Sequence, residues 1–198
     1  MAVLSASSPS APADRPPLDN DAVLTALHAY WNHRRRGRAV PDRRDIDPVD
    51  IGPRLLPNVA LVDVVDGGAR FRNRLVGTAI VERWGVEITG RFLDETMRES
   101  SYRNFIHELY RDACRFRAPV YSSSLFRWDV GSHMVTRRLY LPLTHGGGDV
   151  AMILVGQTFI GTAPGPVKAY RAVFDQATIE QQRREILGDS ARRVVGAD

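Results

Sequence analysis

Residues 58–76 of the chain read NVALVDVVD-GG-ARFRNRLV and predict a β-hairpin. The segments 58–66 and 69–76 are rich in β-branched and apolar residues, and Gly67-Gly68 supplies a tight turn between them. In the second segment arginines alternate with other residues, so one face of that strand carries positive charge. The hairpin therefore places an antiparallel β-sheet at the centre of the fold.

Two amphipathic helices are predicted on either side of this hairpin. The first spans residues 19–36 and can be capped by Asp19 or Asn20. Its apolar residues recur at three- and four-residue spacing and must pack either on the domain body or on a second copy of the chain. They are Val23, Leu24, Leu27, Tyr30 and Trp31. The second helix follows Ser100 or Ser101 and has the most regular apolar stripe of the chain.

Three further strands are predicted after the long helix, at 120–129, 134–143 and 149–160, with glycine-containing turns between them. Short helical turns at 79–84 and 89–95 lie between the hairpin and the long helix. This order predicts an α+β fold with one five-stranded antiparallel sheet. The helices are inserted between the second and third strands and cover one face.

The composition divides the chain into three parts. Residues 1–18 are mostly Ala, Ser and Pro and are expected to form a disordered tail. Residues 19–162 form the domain with its N-terminal helix. Residues 163–198 are a C-terminal extension, expected to be partly helical or disordered because its segment 175–187 is charged, glutamine-rich and only weakly amphipathic.

The overall composition, with 43% hydrophobic and 25% charged residues in 198, is typical of one globular domain. The longest apolar run, 150–155, is far shorter than the roughly 20 residues that a membrane-spanning helix needs. No secretory signal is visible, and Cys114 is the single cysteine, which excludes an intramolecular disulfide and a cysteine-built metal site. We therefore expect a cytoplasmic protein that does not contact a membrane.

Arginine supplies almost all of the positive charge, since Lys168 is the only lysine among 27 basic residues. A genome rich in G and C produces such a bias, and an arginine surface for nucleic acid is the alternative. The net charge is only +4, and acidic residues are interleaved with the arginines between residues 34 and 54. Binding of nucleic acid is therefore disfavoured.

Two stretches of the chain resemble a known family. They are YW…RGR…P…RDIDP…LLP within 30–57 and FRNRLVGTAI at 71–80, the latter followed by Gly85 and by TGR at 89–91. They resemble the PAS-like family of stand-alone alphaproteobacterial proteins that was formerly a domain of unknown function. The resemblance covers roughly residues 21–160. It implies a PAS fold, with helices on one face of a five-stranded sheet and a small cleft between them, and it transfers no catalytic residues.

The same resemblance raises the question of two cofactors, flavin and haem, that other proteins of this fold bind. Flavin-binding light sensors of this fold carry a reactive cysteine at the place where this chain has Gly90, so adduct photochemistry is disfavoured. A haem-binding member needs an axial histidine, and His107 falls off the apolar stripe of the long helix, as expected for a surface residue. No histidines have metal-ligand spacing, so no metal site is predicted and the cofactor stays unknown.

The function expected from these features is that of a non-enzymatic sensory and protein-interaction module. Nucleophile elbows, phosphate-binding glycine loops and His-Glu-x-x-His or Cys-x-x-Cys motifs are absent from the sequence. A nuclear-transport-factor-like isomerase or dehydratase is the enzymatic alternative, but it would need an Asp–His pair inside its pocket. We expect a signalling regulator that acts through a partner protein and takes a small molecule in its cleft.

Candidate site residues follow from this interpretation. Aromatic side chains are expected to line the cleft, and Arg74 to supply a charge for an anionic ligand, although ordinary core packing explains the aromatics equally well. The aromatics are Trp84, Phe92, Tyr102, Phe105 and Tyr121. The first helix is expected to pack against a second copy and form a homodimer. Its interface residues are Leu24, Leu27, Tyr30 and Trp31.

Overall fold

The computed structural model describes residues 17–97, 100–129, 132–161, 178–188 and 193–196. Five α-helices and seven β-strands lie within these ranges. The helices are α1 (Ala22–Arg35), α2 (Pro48–Ile51), α3 (Thr78–Trp84), α4 (Leu93–Thr96) and α5 (Ser101–Phe116). The strands are β1 (Val59–Val65), β2 (Arg70–Val76), β3 (Val120–Asp129), β4 (Ser132–Thr144), β5 (Val150–Ile160), β6 (Thr178–Ile186) and β7 (Arg193–Gly196).

All of these strands belong to one antiparallel sheet with the order β2-β1-β5-β4-β3-β6-β7. The β1–β2 hairpin, the three later strands of the core and the helices inserted between β2 and β3 confirm the expected α+β architecture. The expected number of strands was wrong, because the described part of the chain contributes seven strands and not five. The two additional strands come from the C-terminal extension.

The C-terminal extension corrects the prediction that it is partly helical or disordered. β6 pairs antiparallel with β3 from Val120↔Ile186 to Arg127↔Thr178, and β7 pairs with β6. Without β6, β3 would be an edge strand with unpaired backbone groups, and these groups stabilise an added strand whatever its helix propensity. Residues 162–177 lie outside the described residues.

The start of α1 also differs from the prediction. The cap is Asp21, whose side chain accepts a hydrogen bond of 3.1 Å from the backbone N–H of Leu24. Asp19 and Asn20 belong instead to a 3₁₀ turn, Pro17–Asn20, and Leu18 in that turn is buried. The expected disordered tail therefore ends before Leu18, and residues 1–16 lie outside the described residues.

Helix α1 covers one face of the sheet, which we call the back face. Leu24, Leu27 and Trp31 are 0%, 0% and 1% exposed, and the indole N–H of Trp31 donates to the carbonyl of Pro142 on β4 at 2.9 Å. Tyr30 is partly exposed, and its hydroxyl accepts a hydrogen bond of 3.0 Å from the backbone N–H of Asp47.

This packing corrects the expected dimer interface. The apolar stripe of α1 is buried against the sheet of its own chain, because the back face offers an apolar surface large enough to cover it. Leu24, Leu27 and Trp31 consequently leave no side-chain area for a second copy. The homodimer itself stays a prediction and would need another surface.

Helices α3, α4 and α5 lie on the opposite face, which we call the front face. The cap of α5 is Ser100, whose hydroxyl accepts a 3.1 Å hydrogen bond from the N–H of Arg103. α3 follows Gly77, where a Cβ atom would lie 2.4 Å from the carbonyl oxygen of Pro57, so only glycine allows this close approach. The start of α3 is thereby held against the turn that precedes β1.

Candidate functional site

A cleft lies between the front face of the sheet and the three helices α3, α4 and α5. Its volume is about 630 Å³, which includes the solvent at its mouth. Its lining consists of Ala60, Asn73, Val76, Ile80, Trp84, Val86, Ile88, Leu93, Thr96, Met97, Ile106, Tyr110, Arg138, Val155 and Gln157. Small-molecule sites are commonly apolar clefts that contain a few polar groups, and this lining has that character.

The apolar walls come from all three helices. Ile80 of α3, Leu93 of α4 and Ile106 of α5 are buried in the front-face core and also border the cleft. Trp84, at the end of α3, is only partly buried. The walls are therefore built by side chains whose packing already stabilises the fold.

Among the described residues that line the cleft, Arg138 is the only one with a charged side chain. It lies in the middle of β4, paired with Ser122 of β3 and Gln157 of β5. It is 5% exposed, and its Nη1 atom has no hydrogen-bond partner among the described residues. The guanidinium carbon lies 5.8 Å from the ring centre of Tyr102, which is cation–π distance.

Tyrosine hydroxyls surround this arginine in place of carboxylates. Burial opposes the charged form of Arg138, but the neighbouring Tyr102, Tyr140 and Tyr110 outweigh it, and its pKa is raised. Burial also raises the pKa of Tyr102 and, more strongly, that of Tyr140. At neutral pH Arg138 is therefore positively charged, and these phenols are neutral.

Two amides, Asn73 and Gln157, also belong to the polar part of the lining. Asn73 donates from Nδ2 to the carbonyl of Arg91 at 3.1 Å, which ties β2 to the segment that precedes α4. Gln157 is 6% exposed, and its Nε2 atom has no hydrogen-bond partner among the described residues. Gln157 faces the cleft beside Arg138, so an unused donor lies next to the cation.

Only some of the aromatic residues that were predicted to line the cleft lie at or near it. Trp84 borders the cleft, as expected, while its role toward a ligand stays a prediction. Tyr102 is buried next to Arg138, and Phe105 stacks on Tyr102 with ring centres 6.4 Å apart. Phe92 lies outside the cleft, beneath the guanidinium of Arg70 at 3.6 Å. Thus Tyr102 and Phe105 support the wall behind the lining, and Phe92 does not contribute to it.

In addition to Phe92, the predicted lining residues Tyr121 and Arg74 lie away from the cleft. Tyr121 is fully buried in the back-face core, whereas its neighbour Val120 is buried in the front-face core. The side chain of Arg74 is 58% exposed and lies 3.7 Å from the carboxylate of Asp63, away from the cleft. Both errors concern which face of a strand points inward, and strand alternation alone leaves that choice open.

The cleft residues that sequence reasoning missed are Arg138, Gln157 and Asn73. Arg138 belongs to the predicted strand 134–143, where Met134, Thr136 and Tyr140 occupy the same face. A charged residue among uncharged residues on one face of a strand indicates a cation that points into the domain. The sequence did not show which face of β4 is covered, and only the structure shows that the face carrying Arg138 lies under α5.

A second groove lies outside α5, between it and the β1–β2 hairpin, and is lined by Arg70, Asp94, Arg103 and His107, among others. Two arginines of this groove have acidic partners: Arg70 lies 2.8 Å from Asp94, and Arg111 lies 2.6 Å from Glu108. His107, expected at the surface, is partly buried and packs edge-on against Phe71 with ring centres 6.1 Å apart. Burial and then nearby arginines lower its pKa. Because charges in this groove are compensated, it calls for no ligand.

No group of three or more His, Cys, Asp and Glu side chains is arranged to hold a metal ion within the described ranges. Cys114 is partly buried, and burial raises the pKa of its thiol to about 11, so it is not an activated nucleophile. Among the described helices, none has the length and apolar character required to span a bilayer.

Comparison with known proteins agrees with the cleft geometry. A family model described as a PAS domain matches residues 20–156, which include α1, the first five strands except the end of β5, and the whole lining of the cleft except Gln157. No curated protein matches the chain significantly.

Proposed function

We propose that this chain, which belongs to the PAS domain family, is a non-enzymatic sensory module that binds a small molecule in the cleft under α3–α5. The family suggests a sensory or interaction role. The cleft is the reason to propose that the module also binds a small molecule. A cytoplasmic signalling regulator that acts through a partner protein, with a homodimer as its assembly, completes the proposal.

The observation that supports ligand binding is the contrast within the cleft lining. Most of it is apolar, and a single cation and two amides occur together on β2, β4 and β5. A buried polar group without a partner destabilises the folded state, so such groups persist where they bind something. A side-chain cluster that served packing alone would not need Arg138 and Gln157.

Signal transfer would run through the sheet to α1. Gln157 faces the cleft, and the adjacent Gly156 faces α1, where a Cβ atom would lie 2.7 Å from the side chain of Leu27. A ligand that moves β5 by a few tenths of an ångström would therefore change the packing of α1. The difference between the ligand's affinities for the two arrangements of α1 would determine how far the equilibrium between these arrangements shifts.

The enzymatic and nucleic-acid alternatives receive less support. The nuclear-transport-factor-like reading required an Asp–His pair in the pocket, and the described lining contains neither residue type. Among the arginines at positions 34–50, Arg34 pairs with Asp50, Arg38 with Asp45 and Arg44 with Asp42. Phosphate binding would have to disrupt these pairs.

Native mass spectrometry and NMR test the proposal. Freshly purified protein is compared in its native and denatured masses, and a panel of small molecules is then titrated while backbone amide shifts are mapped. We expect non-covalent added mass, or shifts confined to the cleft lining, and recovery of each bound molecule with unchanged mass. A bound molecule that is converted on incubation contradicts the non-enzymatic assignment.

Two adjacent substitutions locate the binding. Val76→Trp places a large side chain in the cleft, whereas Leu75→Trp adds the same side chain at a residue that is 44% exposed and does not border the cleft. Binding should be lost in the first variant and kept in the second. Equal binding by both variants would overturn the assignment of the ligand to this cleft, and the absence of any adduct and any shift in the wild type would overturn a ligand-binding function.

A further inference from the structure

Arg138 carries information about the ligand as well as its location. Seven arginines at other places in the described structure each lie within 3.0 Å of a carboxylate oxygen. They are Arg34, Arg38, Arg44, Arg70, Arg72, Arg111 and Arg184. Arg138 is more buried than any of them, and no carboxylate occurs among the described residues that line its cleft. The most buried of these arginines is thus the one without an acidic partner in the described structure.

The surroundings of Arg138 keep it charged and do not neutralise it. Its neighbours across the sheet are the hydroxyl of Ser122 and the amide of Gln157, neither of which carries charge. Tyr102 and Tyr140 remain protonated at neutral pH, since burial raises the pKa of both. A buried guanidinium strongly favours an anion with oxygen acceptors.

We propose that the cleft binds a small organic carboxylate, with its carboxylate at Arg138 and Gln157 and its apolar body among Ile80, Leu93 and Ile106. This inference rests on the proposed function, since it names the ligand class of the same cleft. The guanidinium has a donor without a protein partner at Nη1, and Gln157 has another at Nε2. One cation and one amide donor match a single carboxylate.

A phosphate ester fits this lining less well. At neutral pH it carries a charge close to −2 and three acceptor oxygens, and phosphate sites usually supply several cations or backbone N–H groups. The described cleft lining offers one cation. A neutral ligand fits poorly as well, because it would leave the guanidinium buried without a counter-charge.

The test uses pairs of probes that differ only in charge. Benzoate is compared with benzamide, and hexanoate with hexanamide, each up to about 10 mM, which detects dissociation constants in the millimolar range. Amide shift mapping gives both the affinity and the location. We expect each carboxylate to bind at the cleft about tenfold or more tightly than its amide, because a hydrogen bond to a charged group is lost in the neutral probe.

Two neighbouring arginines provide the variant and its control. Arg138→Met removes the cleft cation, and Arg137→Met removes the same charge from the adjacent residue, whose side chain faces Asn20 and Asp21 instead. The first variant should weaken carboxylate binding about tenfold to a hundredfold, and the second should leave it unchanged. Arg138→Met should also raise the melting temperature, because an unpaired buried charge is removed.

A structural role for Arg138 would give the opposite thermal result, since loss of its contact with Tyr102 would then lower the melting temperature of Arg138→Met. That result with unchanged carboxylate binding overturns the inference. Equal binding of amides and carboxylates, or tighter binding of phenyl phosphate than of benzoate, overturns the ligand class and leaves a ligand-binding cleft in place. Failure of every charged and neutral probe to shift the cleft overturns both this inference and the proposed ligand-binding function.

Discussion

Arg137 and Arg138 are neighbours on β4 and have opposite environments. The side chain of Arg137 points to the back face, donates to the carbonyl of Asn20 at 3.2 Å and lies 3.8 Å from the carboxylate of Asp21. Arg138 points to the front face, is 5% exposed and has tyrosines and amides around it. The positive charge of Arg137 on the back face therefore has an acidic neighbour, whereas that of Arg138 on the front face has none among the described residues.

The two faces of the sheet differ in the same way as these two arginines. α1 fills the back face with side chains that are fully buried, and its polar cap is satisfied by Leu24 and by the hydroxyl of Thr158. The front face keeps a cleft between sheet and helices, with partnerless donors at Arg138 and Gln157 in the described structure. Both faces carry a buried apolar core, but only the front face also keeps a cleft with donors that could bind a ligand.

The largest expected effect comes from emptying the back face. Trp31→Ala removes a side chain that is 1% exposed together with its hydrogen bond to Pro142, and should lower the free energy of unfolding by about 3–5 kcal/mol. Urea denaturation measures this loss. Phe116→Ala, at a residue 41% exposed, is the control and should change the free energy by about 0.5 kcal/mol or less. A small loss for Trp31→Ala combined with a lower sedimentation mass would instead place α1 at an interface between copies.

A smaller effect is expected from overfilling the same face. Gly156→Val would place its Cβ 2.7 Å and 2.8 Å from the side chains of Leu27 and Leu24 and should destabilise the protein by about 1–3 kcal/mol. Gly148→Val is the control, because the nearest atom to its Cβ would be 3.9 Å away. If α1 also reports on the cleft, Gly156→Val should alter the affinity of a carboxylate probe at Gln157. Equal unfolding midpoints of the two variants would contradict the tight packing of α1.

The smallest of these effects concerns the compensated charges near the back face. Asp42 accepts hydrogen bonds from Nε and the backbone N–H of Arg44, at 3.0 and 2.9 Å, and from the N–H of Gly146 at 2.6 Å. Its pKa is held well below the usual range by the side chain of Arg44 first, and then by these N–H groups, against the effect of burial. A pKa lower in the folded than in the unfolded state stabilises the fold above about pH 4, and this contribution is lost as the pH falls further.

Asp42→Asn should therefore flatten the loss of stability below about pH 4, as measured by urea denaturation across a pH series. Arg44→Gln keeps the carboxyl group but removes its strongest partner, so the folded-state pKa of Asp42 rises toward the unfolded value, and its share of the acid loss of stability should be smaller and complete at a higher pH than in the wild type. An unchanged pH profile in Asp42→Asn would show that other carboxylates determine the acid limit.

Local patterns in the sequence predicted much of this fold. The Gly67-Gly68 turn, the alternation on either side of it and the cap at Ser100 involve residues close in sequence, so their physics can be read without the tertiary structure. The confirmed order of elements followed from them. The extension at 178–186 was misread because pairing with β3 outweighs its local helix propensity, and β3 is distant in sequence.

By itself, the sequence determined the α+β class, the hairpin, the long helix and the family to which residues 20–156 belong. Only the tertiary structure decided that α1 packs in cis, that Tyr121 faces the back and that Arg138 faces the cleft. The physical reason is that a strand has two faces with the same alternation, and the helices packed on each face determine which residues are buried. The charge that marks the ligand site became visible only when its partners, and the lack of an acidic one in the described lining, could be placed around it.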